Sequence, residues 1–168
     1  QITKRPVRAL TLSALAPRAG ELLWDIGSGS GSISVEWCLA GGQALAYELR
    51  PDRAANIREN AARFGVEHRL QVIEGPAAKT LAEHPAPDAV FIGGGGNAAL
   101  IDALWGLLPE GVRLVANGVT LETEGLLAAE HSRRGGTLLR IDLATTAPLG
   151  RMRGWEASRP VVQWSVTR

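Results

Sequence analysis

Cysteine, methionine, lysine and the smaller aromatics are all scarce in this chain. One cysteine, Cys38, stands among 168 residues, which excludes an internal disulfide, a thiolate zinc site and a dithiol redox pair. It lies between Trp37 and Leu39 in an apolar stretch and reads as a small buried residue. The three histidines, His68, His84 and His131, are far apart and lack the short spacing of metal ligands; no metal is expected, and all three read as surface residues. Only Lys4 and Lys79 are lysines, an arginine bias that GC-rich coding produces and that also suits bidentate carboxylate contacts. The formal charge is +1, so the excess of positive charge that drives nucleic-acid coating is missing. No apolar run reaches the about 20 residues that cross a bilayer. Lys4, Arg5 and Arg8 ahead of residues 9–16 imitate a signal peptide. Yet Val7, Leu10, Ala14 and Leu15 fall near helical spacing, which predicts an amphipathic first helix with Thr3 as its N-cap. A cytoplasmic protein without nucleic-acid or membrane partners is the expectation.

What is present is an alternation of apolar β-type runs with helical patterns, the mark of a parallel α/β sheet. Strands are predicted at 21–26, 43–48, 70–73, 89–92 and 112–116, and helices at 31–40, 52–64, 77–83 and 98–108. In the second of these helices Ile57, Ala61 and Phe64 share a face, with Gly65 as a C′ glycine. Asn97 is a plausible cap for the helix at 98–108. A helix at 122–134 follows, with Leu126, Leu127 and Ala129 as inward candidates. Strands at 137–143 and 160–166, separated by an irregular connection over 144–159, suggest an antiparallel finish. The chain reads as one domain over 1–168: a seven-stranded, mostly parallel sheet with helices on both faces.

The most informative segment is Gly27-Ser28-Gly29-Ser30-Gly31-Ser32, directly after the apolar run 22–26. A strand ending in a glycine turn and entering a helix brings bare backbone against an adenine-containing cofactor. The spacing is Gly-x-Gly-x-Gly, and Ser32 stands where a dinucleotide fold wants its last glycine; this favours S-adenosylmethionine (SAM) over NAD. The second strand ends at Glu48, which adjacent strand spacing places beside that turn, where its carboxylate can accept both ribose hydroxyls. After the third strand comes Glu74-Gly75-Pro76-Ala77, so adenine recognition is expected from backbone near Ala77 and from apolar Leu49. The fourth strand runs into Gly93-Gly94-Gly95-Gly96-Asn97. Gly93 is expected at the cofactor, while Gly94 and Asn97 leave room for a large flat substrate. Arg151 and Arg153, in the long last connection, are candidates for substrate carboxylates. Trp155 is the one tryptophan outside a packing element. Glu122 is either a functional acid or part of the cap of the helix it opens.

Residues 2–4 (Ile-Thr-Lys), Val7, Arg8, the run from Asp25 to Gly31, Glu74-Gly75, the glycines 93–96 and Leu121-Glu122-Thr123 together resemble the cobalamin-pathway precorrin methyltransferases that act at C15 and decarboxylate. The resemblance covers almost the whole chain and implies the class I SAM-dependent methyltransferase fold (Rossmann-like). It implies SAM contacts from Thr3, Gly27, Ser28, Gly29, Ser30, Gly31, Glu48 and Ala77, a tetrapyrrole substrate, C-methylation at C15 and loss of the C12 acetate carboxyl. It further implies a homotetramer. Ser28 stands where this family often has Cys, Glu48 where it has Asp, and Pro76 where it has Asp. The start at Gln1 rather than Met fits the version in which this domain is the C-terminal part of a two-domain enzyme whose other half methylates C5. No general base is evident, and Glu122 is the candidate proton donor for decarboxylation. Two rival functions share the glycine turn: a SAM-dependent RNA methyltransferase and a non-catalytic NAD-binding domain.

Overall fold

A computed structural model describes residues 4–168. Thr3, both as helix cap and as SAM contact, lies outside the described residues; the first helix, α1 (Arg5–Leu15), has Lys4 at its N-cap position without a side-chain cap. The chain continues as β1 (Leu22–Ile26), α2 (Ser32–Leu39), β2 (Gln43–Glu48), α3 (Pro51–Arg63), β3 (Leu70–Glu74), β4 (Ala89–Ile92), α4 (Ala98–Leu107), β5 (Arg113–Gly118), α5 (Leu121–Arg134), β6 (Thr137–Ile141), β7 (Ala144–Leu149), β8 (Met152–Ala157) and β9 (Val161–Thr167). Seven strands form one sheet in the order β3-β2-β1-β4-β5-β9-β6. The first five run parallel, and β9 pairs antiparallel with both β5 and β6.

Both faces of the sheet are covered because its central strands are apolar on both sides, as parallel strands require. Trp24, Ile26, Val90, Ile92, Leu114 and Trp164 face Leu100, Ile101 and Leu104 of α4 and Leu127 of α5. Leu23, Ala44, Ala46, Ala89, Phe91 and Val115 face Leu15 of α1, Ile33 and Trp37 of α2 and Ile57 of α3. Cys38 is buried in this second layer, and burial pushes its thiol up to about 11.

Several details differ from the sequence pattern. The stretch 77–83 is two single 3-10 turns, Ala77–Lys79 and Leu81–Glu83. Thr80 between them has φ −122°, and its hydroxyl donates to the Ala77 carbonyl, a local bond that competes with helix propagation. The connection at 144–159 is not irregular: β7 and β8 pair as an antiparallel hairpin closed by Gly150-Arg151. Neither of its faces is buried, so no alternation of apolar residues announced it. Leu10, Phe64 and Ala129 point outward; Thr11 and Glu130 are buried beside them. His84 and His131 are half-buried. The His84 Nδ1 lies 2.9 Å from the Thr80 carbonyl oxygen and 3.3 Å from the Tyr47 hydroxyl.

Glu130 anchors the outer face of α5. Its Oε1 accepts from Arg133 (2.8 Å) and its Oε2 from Arg134 (2.6 Å), and both arginines also reach Asp102 on α4. The Arg134 and Arg168 guanidiniums lie 4.5 and 5.0 Å from the centroid of the Trp105 ring, two cation–π contacts that tie the last residues to α4 and α5. Removing one partner of a buried pair leaves the other desolvated. Glu130→Ala is therefore expected to lower the unfolding free energy by about 2 kcal/mol in urea titration. Arg140→Ala, which breaks the exposed pair with Asp142, should leave the midpoint unchanged.

Candidate functional site

Strand order reverses between β1 and β4: the chain leaves β1 toward β2 on one side, and β4 toward β5 on the other. Open α/β sheets bind ligands outside the carboxyl ends of the strands at such a point. Both glycine-rich turns lie here. Gly27 and Ser28 donate their backbone N–H groups to the Tyr47 carbonyl (2.9 and 3.2 Å), and Gly93 donates to Ile26 (2.9 Å). Gly27 has φ +68°, and a Cβ on it would lie 2.3 Å from the Gly94 carbonyl oxygen. The two turns can touch only because residue 27 has no side chain. Gly29, at φ +60°, has open space where a Cβ would project, so its bare backbone fronts room for a ligand.

Glu48 is 4% exposed. One carboxylate oxygen accepts from Gly29 N–H (2.9 Å), the other from Arg50 N–H (3.0 Å). The acid at the end of β2 is thus fixed against the glycine turn, with further lone pairs for hydroxyl donors. Leu49 beside it is 66% exposed, and half-buried Ala77 opens the first 3-10 turn after β3. Asp25, at the base of the turn, is buried, and desolvation raises its carboxyl above the usual range. Ser34 donates to its Oδ2 (2.6 Å), while the buried Oδ1 has no partner.

A cavity of about 510 Å³ opens over these turns, lined by Gly27, Ser28, Gly29, Ser30, Gly93 and Gly94 on one side. Its volume is in the range of small-molecule sites. Lys4, Arg53, Asn117, Ser158 and Arg159 also line it; the motif reading missed all five. Asn117 is locked from below: it donates to Thr11 Oγ1 (2.9 Å) and accepts from Gln163 (3.0 Å), which also reaches Thr11 (3.1 Å). This network docks α1 onto β5 and β9 and so brings Lys4 to the cavity. The only sequence hint was a buried-strand pattern interrupted by Asn117 and Gln163.

Glu48, Leu49 and Ala77 are not among the cavity-lining residues, and other expected residues also lie apart from the lining. Gly31 begins α2 as its N-cap. Asn97 caps α4 by accepting from Leu100 N–H (2.9 Å). Arg151 and Arg153 are exposed on the β7–β8 hairpin, with Leu149, Met152 and Trp155 also exposed there. Glu122 sits in the first turn of α5, where its own backbone N–H and the Thr120 hydroxyl hold its carboxyl below the usual range. That suits an ionised helix-terminal charge rather than a proton donor. Thr120 caps the helix by accepting from Thr123 N–H. Among the described residues no group of His, Cys, Asp and Glu side chains could hold a metal ion, and no helix is long and apolar enough to cross a membrane.

A family model described as a precorrin methyltransferase domain matches residues 1–168. The chain belongs to the precorrin methyltransferase domain family. It is 56% identical over 171 residues to a precorrin-6Y C(5,15)-methyltransferase (decarboxylating) of Sinorhizobium, a match covering all of this chain and 41% of that protein. The chain thus spans under half the length of that relative. It is also 40% identical over 127 residues to a probable cobalt-precorrin-6B C(15)-methyltransferase (decarboxylating) of Pyrobaculum calidifontis, covering 73% of this chain and 65% of that one. Among solved structures, the C-terminal domain of precorrin-6Y C5,15-methyltransferase from Rhodobacter capsulatus superposes with a TM-score of 0.97 at 62% identity, covering 100% of this chain and 91% of the other. The expected class I methyltransferase fold is the fold of this family member.

Two substitutions probe the turn. Gly27→Ala combines an unfavourable φ with a clash on the Gly94 carbonyl; it should lower Tm and abolish S-adenosylhomocysteine binding in calorimetry. Glu48→Gln keeps the shape but loses the charge on the acceptor, and should weaken that ligand about tenfold.

Proposed function

We propose that this domain transfers the methyl group of SAM to C15 of a precorrin-6-type tetrapyrrole and removes the C12 acetate carboxyl as carbon dioxide, a step of cobalamin synthesis. The observation that carries the reading is the pairing of the Gly27–Gly31 turn with the Glu48 carboxylate, beside a cavity of about 510 Å³ lined by the same turn. In this reading Gly27, Ser28, Gly29, Ser30, Gly31, Gly93 and Ala77 present backbone to SAM. Glu48 accepts the ribose hydroxyls, Leu49 covers the adenine and Thr3 adds a contact from the first segment. The open space over Gly29 fits a ligand requiring close backbone approach. SAM supplies an electrophilic methyl group on sulfur.

The protein's part is positioning and exclusion of water. A nucleophilic ring carbon forms the new carbon–carbon bond as the carbon–sulfur bond breaks, its electron pair staying on sulfur. In decarboxylation the electrons of the carbon–carboxyl bond pass into the conjugated macrocycle, and a proton replaces the carboxyl. No carboxyl or imidazole is among the cavity-lining residues, so none of them is assigned the delivery of that proton. We extend the proposal to a cytoplasmic homotetramer, supported by the exposed apolar hairpin, and to an N-terminal C5-methylating domain beside this one. The near-neutral charge and the family membership favour neither an RNA methyltransferase nor an NAD-binding domain.

Incubation with SAM and a precorrin-6-type tetrapyrrole, followed by mass spectrometry, is expected to give a product that has gained CH₂ and lost CO₂. An unchanged tetrapyrrole mass with a protein that binds S-adenosylhomocysteine would overturn the substrate assignment.

A further inference from the structure

Among the described residues, carboxylates pair with eight of the sixteen arginines, the exposed Arg18 among them. Arg8, Arg50, Arg58, Arg113, Arg133, Arg134 and Arg140 all form ion pairs. The cavity over the glycine turns differs. Lys4, Arg53 and Arg159 line it, and none of its lining residues is Asp or Glu. Neither the Arg53 nor the Arg159 guanidinium meets a carboxylate among the described residues.

The two arginines come from different walls. Arg53 is half-buried in the first turn of α3, the helix after β2, while Arg159 lies between β8 and β9. In the sheet β2 and β9 are separated by β1, β4 and β5, so the two arginines reach the cavity from different parts of the fold. Lys4 donates from its Nζ to Ser158 beside Arg159, which brings a second cation next to Arg159. Guanidinium forks hold carboxylates bidentately. Two such forks from different elements around one acid-free cavity suit an anion that carries more than one carboxylate.

We propose that Arg53 and Arg159, with Lys4 beside the latter, form a two-sided clamp for peripheral carboxylates of the tetrapyrrole and set the enzyme's preference for polycarboxylate macrocycles. This rests on the methyltransferase reading above, and the test separates the two. Uroporphyrin, a flat tetrapyrrole with carboxylates all round, is titrated by fluorescence into the wild type, Arg53→Gln, Arg159→Gln and Arg63→Gln. Arg63 lies in the last turn of α3 and is not among the cavity-lining residues. S-adenosylhomocysteine is titrated by calorimetry into the same proteins, and a porphyrin bearing four cationic pyridinium groups into the wild type.

Each cavity variant should lose about tenfold in uroporphyrin affinity while keeping its S-adenosylhomocysteine affinity within twofold. Arg63→Gln should match the wild type, and the cationic porphyrin should bind far more weakly than uroporphyrin. Equal affinity for the two porphyrins, or unchanged uroporphyrin binding by both cavity variants, overturns the clamp while leaving the methyltransferase reading intact. Loss of S-adenosylhomocysteine binding in Arg53→Gln with uroporphyrin affinity kept also overturns it, by giving Arg53 to the cofactor. A wild type that binds no S-adenosylhomocysteine refutes the underlying reading instead.

Discussion

The site depends on one backbone-to-backbone approach. Gly27 at the end of β1 lies against the Gly94 carbonyl at the end of β4, so close that a methyl group between them would overlap the oxygen. That proximity lets two neighbouring strands, whose chains leave in opposite directions, end on a common rim. The rim then shows peptide groups instead of side chains, and Glu48 is held to it by the Gly29 N–H. Moving either turn outward would separate the acid from the backbone it faces and widen the cavity floor.

The surrounding fold protects this geometry from two directions. Large side chains pack on both faces of the central strands, so neither strand can tilt without opening voids in a close-packed interior. On the cavity side, Thr11, Asn117 and Gln163 satisfy one another within a mostly apolar layer. Such a network is costly if half made and specific when complete. It fixes the pose of α1, and with it the position of Lys4 at the rim. On the outer side Glu130 does comparable work for α5, collecting two arginines that also reach α4.

The parallel core was legible because its strands are short apolar runs bounded by glycine turns, and β2 and β4 begin and end where the pattern placed them. The proximity of Glu48 to the glycine turn followed from strand adjacency alone. What stayed hidden has physical reasons. The β7–β8 hairpin lacks a buried face, so its residues carry no period-two apolar signal. Thr80 breaks a stretch whose composition favours helix. Arg53 and Arg159 sit in no motif: what distinguishes them is their place in the lining of an acid-free cavity, which is a property of three-dimensional placement. The arginines that drew notice in the sequence, Arg151 and Arg153, ride instead on the hairpin.

The acid-free lining has a consequence for turnover. With three cationic residues at the cavity in a chain whose formal charge is +1, the remaining residues together carry a small negative excess, so attraction for an anion is concentrated at the mouth. In the proposed reaction, loss of carbon dioxide would delete one negative charge from the bound macrocycle. On that proposal the departing molecule is held less firmly than the arriving one, and the chemistry itself weakens the grip that would otherwise slow exchange.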